Sequence, residues 1–81
     1  MARFVSSRNP ISANTLKRLE HGTVVVRMSG YEDVRFTRTH GGWIRERTDV
    51  TSERPELVSS AAVASECNTA VGCKESWARV Y

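Results

Sequence analysis

Three short runs rich in β-branched and aromatic residues, parted by glycine, dominate the middle of this chain. Residues 23–29 (TVVVRMS) precede Gly30, and residues 33–38 (DVRFTR) alternate apolar with polar. His40-Gly41-Gly42 then leads into residues 43–47 (WIRER). Runs of this kind, bounded by turn residues, predict a three-stranded antiparallel meander. Side chains alternate between the two faces of a strand. Pairing residue 26 with 36, and 36 with 44, therefore gathers Val24, Val26, Met28, Val34, Phe36 and Ile44 on one face. The other face then carries Val25, Arg27, Arg35, Thr37, Trp43, Arg45 and Arg47. In that register Arg27, Arg35 and Arg45 stand side by side. Like charges directly opposite repel, so this face is expected to be solvated or neutralised by an anion.

The flanks supply covering elements. Residues 1–10 read as an extended arm ended by Asn9-Pro10. Residues 12–21 read as a short helix with Ser12 as N-cap, an Ile11/Leu16 hydrophobic staple, a Leu16/Leu19 stripe and Gly22 as its stop. Residues 48–54 form a polar loop. The period changes after Pro55: Leu57, Val58, Ala61, Ala62 and Ser65 make one face of a helix over 55–67. Residues 68–72 are a break, and residues 76–81 alternate again as a fourth strand. The expected fold is a single α+β domain over 1–81, a small antiparallel sheet of three to four strands packed by two short helices. The alternative is a small SH3-like barrel that recruits residues 3–7 as a fifth strand.

An 81-residue chain buries roughly 60–65% of its unfolded surface, enough for one modest core. The charge is unevenly spread. Residues 1–48 hold nine cations against four acids, and residues 49–81 hold three against five. A basic first half suggests an anionic partner surface. Ten of the twelve cations are arginine, the side chain that forks onto carboxylate and phosphate and stacks on flat rings. The first residues show no apolar signal region, and no apolar run approaches the ~20 residues of a membrane span. The expectation is a cytoplasmic protein with Cys67 and Cys73 as free thiols and no membrane partner.

The stretch HGTVVVRMSG, then VRFTR, then Gly41-Gly42-Trp43, followed by the SSAAV segment over 59–63, resembles small proteins of actinobacterial bacteriophages. The resemblance covers about residues 20–66 and describes a β-meander more than a site. It implies a phage origin and a host-cytoplasm setting, and it carries no catalytic residues over. Tyr31-Glu32-Asp33 departs from the pattern as a longer, more acidic turn.

Several chemistries lack the residues they need. A metal centre needs about four ligands at workable spacing. Cys67 and Cys73 are not at knuckle spacing, and His21 and His40 lie far apart in sequence. Gly41-Gly42 has neither the lysine nor the helix start of a phosphate loop. No spacing obliges Cys67 or Cys73 to meet His40 as nucleophile and base. No cofactor and no enzymatic activity are expected. Trp77 and Tyr81 read as core or edge packing; exposed, they would form a docking patch. The function expected is that of a non-enzymatic phage accessory protein that binds a host macromolecule, foremost a host protein, through Arg27, Arg35, Trp43, Arg45 and Arg47. Nucleic-acid binding by the same residues is the alternative. So small a core is also compatible with a homodimer through a sheet edge or Trp77.

Overall fold

The structure, a computed structural model, describes residues 3–28, 33–47 and 54–81. The elements run β1 (Arg3–Phe4), α1 (Ala13–Lys17), β2 (Thr23–Arg27), β3 (Val34–Thr39), β4 (Gly42–Arg47), β5 (Glu56–Val58), α2 (Ser60–Val71) and β6 (Trp77–Val80). The fold is α+β, with one antiparallel sheet ordered β1-β6-β2-β3-β4-β5 and two helices. Six strands replace the expected three to four. The turn expected at Gly30 and most of the loop expected at 48–54 lie outside the described residues.

Each added strand has a local cause. The N-terminal arm is drawn in because Val5 is apolar and buries, and its N–H donates to the Ala78 carbonyl (3.0 Å) just beyond the β1–β6 pairing. Residues 56–58 pair with β4 instead of opening the second helix. Ser59 sets that helix start: its hydroxyl accepts from the Ala62 N–H at 3.1 Å, which satisfies one of the unpaired first-turn donors. The buried stripe of α2 is consequently Ser60, Val63, Ala64, Cys67 and Ala70, and the helix runs through the expected break at 68–71. Ala61, Ala62 and Ser65, assigned inward by the sequence pattern, are exposed.

The meander registers are Val24↔Phe36 and Val26↔Val34 for β2–β3, and Phe36↔Arg45, Thr37↔Ile44 and Arg38↔Trp43 for β3–β4. The first differs from the expected 26↔36 by two residues and leaves every face unchanged. The second differs from 36↔44 by one and turns β4 over. The hairpin turn explains it. Only His40 and Gly41 form the loop, with Gly41 at φ +88°, and Gly42 is already paired with Thr39. Within the strand, β5 passes so close to Gly42 that a β-carbon there would sit 2.7 Å from the Val58 carbonyl oxygen, so the position takes glycine.

Both helices lie on one side of the sheet. α2 packs on β6, β2 and β4, and α1 packs on α2. Between them lie Val24, Val26, Phe36, Trp43 and Ala78 from the sheet, and Leu16, Val63, Ala64, Cys67 and Ala70 from the helices. Alanines at 64, 70 and 78 let the helix approach closely. α1 begins as expected, with Ser12 capping Thr15 and with Ile11 and Leu16 buried. It stops at Lys17, well before Gly22. The Arg38 guanidinium satisfies carbonyls at and just beyond this end, donating to those of Leu19 (2.8 Å) and Lys17 (3.4 Å). Gly22, at φ +149°, instead leads into β2. The sheet is open: among the described residues β1 and β5 pair on one side only. No described helix is long and apolar enough to cross a membrane.

Candidate binding face

The turned-over fourth strand separates the residues that sequence reading places together. Arg27 and Arg35 lie on the face away from the helices. Trp43, Arg45 and Arg47 lie on the helix side, in register with Arg38, Phe36 and Val34. Trp43 is fully buried. Its indole Nε1–H donates to the Ser60 hydroxyl at 3.1 Å, and the Arg38 guanidinium lies 5.6 Å from its ring centroid. Arg45 Nε reaches both carboxylate oxygens of Glu66 on α2, at 3.3 and 3.4 Å. Trp43 is thus a core residue, Arg45 ties the sheet to the helix, and neither shares a surface with Arg35.

The uncovered face carries a different set. Strand pairing puts Phe4 beside Arg79, Arg79 beside Val25, Val25 beside Arg35, and Arg27 beside Trp77. Tyr81 follows by alternation, its N–H donating to the Thr23 carbonyl at 2.8 Å. Phe4 and Tyr81 are 57% and 51% exposed. The Arg79 guanidinium sits between them, 4.8 Å from each ring centroid. Phe4 meets Trp77 edge-on at 6.2 Å, and Arg27 lies 5.5 Å above the Trp77 ring. The result is a continuous ladder of rings and guanidiniums across β1, β6 and β2. Cation–π contacts of this kind contribute about 0.5–2 kcal/mol each, more as water is excluded, so the ladder is held in place before any partner arrives.

Beside the ladder lies an open groove of about 470 Å³, floored by Thr23, Val25 and Thr37 and walled by Trp77, Tyr81, Asp33 and Arg35. Asp33 pairs with Arg27. Arg35 is exposed, with Glu46 as its register neighbour on β4. Among the described residues, Arg35 makes no hydrogen bond or ion pair, and Arg79 makes only its two ring contacts, with its Nε buried and donating to nothing.

The other chemistry-bearing residues do not converge. Cys67 and Cys73 are free thiols, the first buried and the second exposed. Burial, reinforced by the neighbouring Glu66 charge, pushes the Cys67 thiol up to about 12, which leaves it protonated and a poor nucleophile near neutrality. His21 and His40 are exposed. Among the described residues no three His, Cys, Asp or Glu side chains gather as a metal site would need.

Phe4, Trp77, Arg79 and Tyr81 are the face residues that sequence reading does not assign to the site. The alternation in 76–81 is visible, but nothing local says that this strand inserts between the chain's first strand and β2. Comparison with protein-family models, with characterised proteins and with solved structures returns no match for the chain.

Proposed function

We propose that this chain is a non-enzymatic binding protein that engages a protein partner through its uncovered sheet face, with Phe4, Trp77, Arg79 and Tyr81 as anchors and Arg27 and Arg35 beside them. On the phage resemblance the partner is a protein of the bacterial host, met in the host cytoplasm. The observation that carries this reading is the Tyr81–Arg79–Phe4–Trp77 ladder, exposed at Phe4 and Tyr81 yet internally braced. Aromatic residues and arginine are the types that dominate protein-binding hot spots. A rigid cluster also loses less side-chain freedom on docking. Nucleic acid is the less favoured partner because Asp33 and Glu46 lie among the arginines of the same face and offset their charge.

The test is capture from an actinobacterial lysate, with and without nuclease, by the wild-type chain and by Phe4→Ser/Tyr81→Ser. A discrete protein that survives nuclease and is lost with the double variant supports the proposal. Recovery that vanishes with nuclease, or capture indifferent to the double variant, overturns it. Nucleic-acid binding would in addition weaken log-linearly with salt.

A further inference from the structure

We infer that the groove over Val25 recognises a single carboxylate carried by a short apolar segment of the partner protein, an inference that rests on the binding reading above and names the chemistry of what is bound. Arg79, Val25 and Arg35 are consecutive cross-strand neighbours on β6, β2 and β3. Adjacent strands lie about 4.8 Å apart, so the two arginine backbones flank the apolar floor at roughly 10 Å. Each guanidinium lacks a carboxylate or carbonyl acceptor among the described residues, and the two Thr hydroxyls of the floor, at 23 and 37, stand on the same side. A carboxylate above Val25 therefore meets the Arg35 guanidinium that lines the groove, while the charge of Arg79, held between the Phe4 and Tyr81 rings, stands outside the lining beyond the other flank. The segment carrying it lies against the Trp77 and Tyr81 walls, which suit apolar neighbours.

The same groove disfavours a polyanion. Asp33 forms part of its wall, and Glu46 is the register neighbour of Arg35. A phosphodiester strand, with a charge at every unit, runs into both carboxylates. One isolated carboxylate avoids them. The distribution of charge, and not its total, is what selects the ligand.

The probe is an end-capped peptide with one glutamate between leucines, titrated into the isotope-labelled full chain and followed by backbone and indole N–H shifts. Its glutamine counterpart and a short oligothymidylate are the comparisons. The expected result is movement of the Val25, Arg35 and Trp77 signals with the glutamate peptide. Affinity should fall about tenfold or more with the glutamine peptide or in Arg35→Gln. Arg35 is exposed, so that variant keeps the fold; Arg79→Gln is the second variant, read only where its melting curve matches the parent. Equal shifts from both peptides, or stronger shifts from the oligonucleotide, overturn the inference. If lysate capture still depends on Phe4 and Tyr81 while the glutamate peptide does not bind, the carboxylate assignment fails and the binding face stands.

Discussion

Trp43 and Ser60 are joined by a buried hydrogen bond, indole Nε1–H to hydroxyl oxygen at 3.1 Å, across the contact between β4 and the first turn of α2. Both partners are shut off from water, Trp43 completely and Ser60 to within 4%. The bond explains why a serine occupies the inward stripe of an otherwise apolar helix. Ser60→Ala leaves the indole donor buried without an acceptor, at a cost of about 1–3 kcal/mol. In a domain of this size that lowers the melting temperature by roughly 4–8 °C per kcal/mol. Trp43→Ala, which also opens a cavity, costs about 3–5 kcal/mol. Urea unfolding monitored by circular dichroism checks both. A Ser60→Ala midpoint equal to wild type would show that the bond contributes nothing.

Arg38 is the second arginine with a structural role. Its guanidinium donates to the carbonyls of Leu19, Lys17, Thr39 (2.9 Å) and Gly42 (2.6 Å), and so holds the end of α1 to the β3–β4 hairpin. The planar fork is what spans several acceptors at once; an ammonium on a flexible stem cannot reproduce it. Arg38→Lys is therefore expected to lose most of the stability that Arg38→Ala loses, about 1.5–3 kcal/mol. Amide hydrogen exchange should localise the loss to residues 13–19. Full rescue by lysine would reduce the role of Arg38 to its charge.

Asn68 fastens the arm to α2. Its side-chain amide accepts from the Ile11 N–H at 3.3 Å and donates to the Ile11 carbonyl at 3.0 Å, pairing with a backbone unit much as a neighbouring strand would. Asn68→Asp keeps the acceptor but sets a charge against the Ile11 carbonyl; Asn68→Ala removes both bonds. Both variants should destabilise by about 1–2 kcal/mol, with the aspartate no better than the alanine at neutral pH and partly recovered in acid as the carboxyl regains a proton. Proteolysis within residues 6–12, faster in either variant, is the direct readout.

How much of this was legible in the sequence divides along chain distance. The meander, the Ser12 cap and the Ile11/Leu16 staple depend on neighbours within a few residues, and the structure contains all three. The α2 boundary depends on whether 56–58 continue a helix or pair with β4, which is decided by a strand many residues earlier. Ser59 was the available local signal, an N-cap residue ahead of Val63, Ala64, Cys67 and Ala70. The candidate face turned on a single residue in the His40-Gly41 loop. Counting Gly42 into the turn puts Trp43 outside; counting it into the strand buries it. The structure pairs Gly42 with Thr39 and brings β5 close against it, and no pattern around position 42 reports it.

Cys67 supplies a prediction in pH. In the fold its thiol is held up to about 12, against an ordinary 9.0, by burial and by the charge of Glu66. The folded state therefore keeps the proton that the unfolded chain releases. Below about pH 9 both states hold it, and the thiol's contribution to stability is complete. As pH rises from about 9 to about 12 the unfolded chain gains the freedom to ionise, and stability falls by an amount on the order of a few kcal/mol. Cys67→Ala carries a packing cost that does not vary with pH, so its stability curve should run lower at neutrality but flatter in alkali. Urea midpoints for the two proteins across this range test the sign, and parallel curves would sink it. At mildly alkaline pH, iodoacetamide should modify exposed Cys73 in the native chain and reach Cys67 only after unfolding.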